Sequence, residues 1–438
     1  KFAALFFSLI IGLTLQAQSA SGSGSFQTKS LPFVIDDADI AGSRSLKAVD
    51  AVRRKLEREA KAGSKVKIFP MAPESPGTPN PKAEPGVVHG RLRLTDPKGG
   101  LFAARRAAVL LMQGRTVLAE GRTDAKGRWS LRAPSSASGA AAVRFRLENP
   151  FWAVQDPQTE KPYEWEAGSL DLPLPGGRDM GDFRLYPETE NGKIGFIHLQ
   201  FLEALDLFER DHLPLSWWNR RLLVKYPGSA DFFSPWEFAL NLTRPEAWDV
   251  NLHELGHAVM AAGTRSYGGG GRHKIDECYT RGLAWSEGWA TFFAGAVRLS
   301  PDDDDARFEF LVPRRAPIRI ENVPEDVCRG TANEWRVAAG LWDLYDRHGD
   351  GQDQIAMAFG TMWSAIQDKV MGGLPDAWAF IRKKLDSRQE RIAQAVLRQN
   401  TLDTVSTDLL TRRGLPAPSR IIPKSTAKPS WDGAPPRR

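Results

Sequence analysis

The 438-residue chain has few cysteines, histidines and tyrosines, with 2, 7 and 6 of each. Two cysteines cannot staple a disulfide-framework miniprotein or build a Cys-rich zinc module. Charge of one sign is not in excess: Lys+Arg 59 against Asp+Glu 53 leaves +6. No basic block interleaved with aromatics marks a nucleic-acid binder, so none is expected as a partner. Beyond the first twenty residues no apolar run approaches the roughly 20 residues that a membrane helix needs. No internal repeat is found. What remains is globular material. At 42% hydrophobic and 26% charged residues, disorder is excluded as the dominant state, and at roughly 100–200 residues per domain the length implies two or three domains. Fourteen Trp suit large packed surfaces or a broad cleft.

Residues 1–20 read as a signal peptide. Lys1 is followed by an apolar run from Phe2 to Leu15, then small and polar residues that end near Ala17 or Ala20. A signal anchor is the alternative. The expectation is a secreted or periplasmic protein with no integral membrane segment in its mature form. In an oxidising compartment Cys278 and Cys328 are expected to pair, with two buried thiols as the alternative.

Residues 21–85, rich in Ser, Gly, Pro and Lys, read as a linker or prosegment with one amphipathic stretch, Leu46 to Lys61. From Gly86 short alternating strands follow: Val87 to Leu94, Ala107 to Met112 and Trp129 to Arg132. Turn signals separate them at Asp96 to Gly100 and Thr123 to Gly127. This spacing predicts an all-β sandwich over 86–187. After Glu190 the period lengthens. Helices are predicted over Ile194 to Phe208, Ala247 to Ala262, Leu283 to Val297, Asn333 to Arg347 and Ile355 to Lys369, with one or two more over Ala377 to Leu397. Leu222 to Tyr226 and Phe238 to Leu242 read as strands. A catalytic domain over 190–415 and a disordered tail over 416–438 complete the plan.

The chemistry is concentrated at His253-Glu254-Leu255-Gly256-His257. On a helix this H-E-x-x-H spacing places both imidazoles on one face, where they can reach one tetrahedral Zn²⁺. Glu254 lies beside them and can take a proton from a zinc-activated water. The metzincin continuation would put Gly and His where Met260 and Gly263 stand, so that branch is excluded. The third ligand is then a carboxylate, with Asp276, Glu277 and Glu287 as candidates. Glu287 is favoured because it sits inside an apolar helix, where a carboxylate needs a partner.

Two sets of motifs carry a family resemblance. The Gly86-x-x-x-Gly90 opening, Ala107 to Leu111 (AAVLL) and Thr123 to Leu131 (TDAKGRWSL) resemble the prealbumin-like or carboxypeptidase-regulatory-like sandwich. Such modules accompany a catalytic domain and carry no chemistry themselves. The pair HELGHAVM and LAWSEGWATFFAG resembles gluzincin metallopeptidases of the fungalysin and thermolysin-like type. That resemblance covers Gly192 to about Leu415 and is specific over the two motifs. It implies a multidomain chain, an all-β sandwich followed by an α+β zincin-like domain that is mainly helical in its C-terminal half, with one Zn²⁺ between lobes. By that analogy Phe238 to Leu242 is the edge strand that pairs with substrate. The chain departs from the family where an Asp that orients the first zinc His is replaced by Thr291. Thr291 or Asp249 is expected to supply that contact. Oxyanion donors are sought at Tyr345 and His348, and Glu334 and Asp343 are further candidates for supporting positions.

Three lesser signals complete the reading. Asp346 to Gly351 opens like a calcium loop, but position twelve is Met357 and not Glu, which makes it a plain turn. The run Asp302 to Asp305 reads as a helix-start cap, with a structural Ca²⁺ as the alternative. Gly268 to Gly271 reads as a mobile loop over the cleft. Together these expectations describe a monomeric secreted zinc peptidase, leaning to endopeptidase since no G-[AM]-M-E-N motif is present. Its substrates would be peptides or proteins, cell-wall peptides included. The rival readings are a surface-binding or adhesion protein with a degenerate zincin domain, and a latent zymogen held by residues 21–85.

Overall fold

The computed structural model describes residues 66–74, 79–80, 84–266, 271 and 273–402. The signal peptide, the Leu46 to Lys61 stretch, most of the glycine run and the C-terminal tail lie outside these residues. A β region is followed by a mainly helical one.

Two five-stranded sheets form the sandwich. The first has the order β1(Ile68–Pro70), β10(Glu164–Leu172), β8(Gly139–Arg146), β5(Ala108–Gln113), β6(Thr116–Arg122). In the second, β2(Pro79–Asn80), β11(Gly177–Leu185), β3(Val87–Thr95) and β4(Leu101–Ala103) run in order, and β7(Arg128–Arg132) also pairs with β3. Alternation sets the facing sides: in β7 Trp129 and Leu131 are buried while Arg128, Ser130 and Arg132 are exposed. Across the core Phe145 of the first sheet meets Trp129 and Phe183 of the second, each at 5.6 Å between ring centroids.

The boundaries differ from the sequence expectation at two places. Ile68–Pro70 and Pro79–Asn80, read as linker, are strands of the two sheets. β9(Trp152–Gln155), inside the span assigned to the sandwich, leaves it for a third sheet of order β13(Phe232–Ser234), β14(Ala239–Asn241), β12(Leu222–Lys225), β9. In that sheet β9, β12 and β14 are parallel and β13 is antiparallel. All four β9 residues are buried, so the apolar run fits either partner and only topology decides. The predicted edge strand, Phe238 to Leu242, is an inner one, and the outer strands among the described residues are β13 and β9.

Helix α1(Glu190–Arg210) begins at Thr189, whose hydroxyl accepts the Gly192 N–H at 3.1 Å. It packs on β3 and β11, with Gly195 against Leu94 and Leu185, and Phe201 meets Trp152 of β9 at 5.6 Å. Next come α2(Trp248–Gly263), α3(Arg281–Arg298), α4(Glu334–Trp342), α5(Phe359–Ile366), α6(Leu374–Ile381) and α7(Ser387–Gln399). Helix α4 stops at Trp342, short of the expected Arg347, and α5 starts at Phe359, after the expected Ile355. The Asp302 to Asp305 run caps no helix. Asp302 pairs with Arg347, and Asp305 with Arg307 and Arg319. No helix among the described residues is long and apolar enough to cross a membrane.

His198 of α1 joins three parts of this fold. Its Nδ1 accepts from Trp152 Nε1 at 3.0 Å and its Nε2 donates to the Arg105 carbonyl at 2.9 Å, which fixes a neutral tautomer. Burial holds its pKa down, at about 4. Between that value and the unfolded one of about 6.5, the unfolded chain binds the extra proton. His198 therefore adds nothing to acid instability above pH 6.5 and removes about 3 kcal/mol as pH falls to 4. In urea melts at pH 7 and pH 4.5, His198→Gln is expected to be less stable at pH 7 and to lose less stability on acidification than wild type. Equal losses in both proteins would contradict this role.

Candidate metal centre

Helices α2 and α3 approach more closely than ordinary side chains allow. A Cβ on Gly256 would stand 2.8 Å from the Ala290 Cα, so only glycine fits at this crossing. The contact brings the His253 and His257 face of α2 over Glu287 of α3. A second close crossing lies one residue further along α3, where a Cβ on Gly288 would meet Val337 at 2.6 Å and the Glu334 carbonyl at 2.8 Å. It draws the start of α4 to the same point.

Three ligand atoms converge here. His253 Nε2 lies 3.1 Å from Glu287 Oε2, His257 Nε2 lies 3.2 Å from it, and the two Nε2 atoms are 3.2 Å apart. In a tetrahedron with bonds of about 2.0–2.1 Å the ligand atoms are roughly 3.3–3.4 Å apart, so the triangle fits a zinc-sized ion. The outer nitrogens have hydroxyl partners: His253 Nδ1 with Thr291 Oγ1 at 3.1 Å, and His257 Nδ1 with Ser286 Oγ at 3.3 Å. An Nδ1–H donated outward leaves each Nε2 lone pair facing the centre.

The electrostatics agree with that use. Burial alone would lower the His257 pKa, but the Glu287 carboxylate overrides it and lifts the imidazole to about 9. Burial opposes ionisation of Glu287 as well, and the histidines prevail and hold its carboxyl well below the usual range. At neutral pH the pocket thus keeps a proton on His257, which a bound metal would expel. Glu254 lies on α2 between buried Leu252 and Leu255 and is itself only partly buried. Burial of its carboxyl raises its pKa, against the pull of His257 and His253, which makes it a better proton acceptor.

His273 is the residue that the sequence reading missed. Its Nε2 lies 3.7 Å from Glu287 Oε2 and 3.3 Å from Glu334 Oε2, and Glu334 is almost fully buried. Burial pushes Glu334 up to about 8, with His273 acting against the rise and Glu287 with it. The segment holding His273 is tied to the start of α4. Asn333 Nδ2 donates to the carbonyls of Ile275 and Glu277 at 2.8 and 2.9 Å. Tyr279 N donates to Ala332 O at 2.8 Å, and Cys278 is bonded to Cys328 with Cα atoms 5.6 Å apart. The predicted Cys pair lying close by and Asn333 ahead of Glu334 were the signals that could have found it.

Several expected site residues lie elsewhere. Asp276 is held by Arg314 and Arg315, and Glu277 by Lys274 and Tyr279, which leaves Glu287 as the carboxylate at the centre. Asp249 Oδ2 accepts the N–H groups of Glu309, Phe310 and Leu311 and orders that turn. Tyr345 packs against Phe292 and Trp342, its hydroxyl near Arg210. His348 donates to Glu321 at 2.9 Å. The partners of Tyr345 and His348 are not residues of the ligand triangle. Asp343 accepts from Asn400 at 2.6 Å.

Residues 214–401 match the family described as the Mycolysin C-terminal domain, a domain of fungalysin/mycolysin-type peptidases. The matched span holds α2 and α3 but less than half of the chain, and it gives the region a peptidase context. No curated protein shows significant similarity to the chain. Among solved structures, a 9R-lipoxygenase from Cyanothece PCC8801 is similar at 15% identity and a TM-score of 0.18. That likeness covers 39% of this chain and 29% of that one, so this chain spans under a third of the lipoxygenase's length. A TM-score this low carries no argument about fold or function.

If the Thr291 hydroxyl orients His253, Thr291→Ala lowers zinc affinity by about 10- to 100-fold with the fold intact. Competition with a chromophoric chelator measures this, and an unchanged Kd would remove Thr291 from the metal centre.

Proposed function

We propose that the chain is a secreted zinc-dependent peptidase of the gluzincin type. The observation that carries this reading is the triangle of His253, His257 and Glu287 ligand atoms with Glu254 beside it on the same helix. Bound there, zinc would supply Lewis acidity, polarising the scissile carbonyl and making water a nucleophile near neutral pH. Glu254 takes the proton from that water and returns it to the leaving amine. His273, whose Nε2 lies beside Glu287 and Glu334, would turn that N–H from the carboxylates to the carbonyl oxygen as negative charge gathers on it. Strand β13, the outer strand that packs against α2, would receive an extended peptide by strand addition. The substrates are then peptides or proteins, nucleic acid has no role, and the catalytic domain, which takes in 190–402 of the described residues, works as a monomer.

The rival reading of a degenerate, non-catalytic domain drew on Thr291. That residue makes the hydrogen bond to His253 and Glu254 is retained, which favours the catalytic reading.

Cleavage of a fluorogenic peptide library is expected from the wild type. Glu254→Gln should reduce it by about 10²- to 10⁴-fold with zinc retained. His273→Ala should cut kcat by roughly 10²- to 10³-fold, also with zinc retained. Undiminished turnover in Glu254→Gln would sink the proposed mechanism.

A further inference from the structure

A second cluster of ionisable groups lies beyond the C-terminal end of α4 and is separate from the metal centre. Asp346 is 1% exposed, and no hydrogen-bond donor reaches either of its carboxylate oxygens. Its neighbours are other acids. Glu321, also buried, has an oxygen within 4.8 Å of an Asp346 oxygen and of a His348 ring nitrogen. Asp353 is buried, its Oδ1 likewise has no partner, and its carboxyl faces Asp346 within hydrogen-bonding reach. Asp350 stands half-buried at the edge, held by Gln399 at 2.9 Å. Glu321 itself is held firmly, accepting from Trp342 Nε1 at 2.6 Å and His348 Nδ1 at 2.9 Å. No lysine or arginine is paired with Glu321, Asp346 or Asp353 in the described ion pairs.

Asp353 accepts a backbone N–H from Ile355, which leaves Asp346 as the buried carboxyl without a donor, and such a group calls for a cation or for a proton. The loop is already shaped for the first. Asp346, Asp350 and Asp353 fall at positions one, five and eight of a sequence that opens like a calcium loop and lacks the closing acid at Met357. Glu321, brought in from the segment after the strand Ile318–Arg319, adds an acid to the cluster from outside the loop.

We propose that Asp346, Asp353 and Glu321, with Asp350 at the rim, bind a hard divalent cation of the calcium type that ties the 346–353 loop to the segment ahead of α4. His348 holds the Glu321 carboxylate in place and leaves the ligand set to oxygen, which favours calcium over softer metals.

The test is equilibrium dialysis of the chelator-stripped full chain against ⁴⁵Ca²⁺ up to about 1 mM, the range of extracellular calcium modules, with thermal unfolding alongside. Wild type is expected to take up about one ion and to melt at a higher temperature with calcium than without. Asp346→Asn and Asp353→Asn should weaken uptake by roughly tenfold or more and lose the calcium-dependent shift. In calcium-free buffer Asp346→Asn should melt no lower than wild type, since the amide keeps the shape and carries no charge among the neighbouring acids. Glu287→Ala should bind calcium normally, which separates this site from the metal centre. No uptake by wild type, undiminished uptake by Asp346→Asn, loss of uptake in Glu287→Ala, or preference of the Glu287→Ala protein for Zn²⁺ would each overturn the proposal.

Discussion

Two glycines decide whether this molecule has a metal centre at all. Gly256 lets α2 rest on the backbone of α3 at Ala290, and Gly288 lets α3 rest on α4 at Val337 and the Glu334 carbonyl. A methyl group at either position would force the helices apart by more than the few tenths of an ångström that a packed core can give. The ligand triangle has edges of 3.1 to 3.2 Å, so a shift of that size would undo it. The tryptophan-rich core holds the crossing from behind: Trp289 packs on Phe293, Phe359 and Trp363, and Gly263 at the end of α2 seats Trp363.

Around that crossing the structure repeats one solution, in which a buried charge is held by a group arriving from a distant part of the chain. Glu287 is held by the histidines of α2, Glu334 by His273, and Asp249 by three N–H groups of the 309–311 turn. The disulfide between Cys278 and Cys328 joins the segment carrying His273 to the loop ahead of Glu334. Each is a pairing that lowers the cost of burying a charge. Asp346 does not follow this rule, since neither of its oxygens meets a donor, which is why it stands out as the centre of a second site.

Much of this was legible in the sequence wherever local periodicity sets the structure. The helices carrying His253, His257 and Glu287 showed in the apolar spacing, and Glu287 was favoured because an acid in so apolar a helix needs a partner. Legibility failed where long-range topology decides. Trp152 to Gln155 is a buried apolar run that fits a sandwich or a parallel sheet equally, and it joins the latter. His273 sits in a segment with no period, placed by contacts to Asn333 and Glu334 some sixty residues on. Glu321 completes the acidic cluster from outside its loop, so a reading that looked for the closing acid at Met357 could only reject it. Tyr345 and His348 were chosen for their residue types, and their surroundings give them packing and ion-pair roles instead.

The account stands on the three converging ligand atoms, and metal content measures them most directly. Zinc per chain is determined by mass spectrometry on purified wild type beside Glu287→Ala, each after reconstitution. About one zinc per chain in wild type, with most of it lost from the variant, is the predicted result. Full retention in Glu287→Ala, or no zinc in wild type, would contradict it.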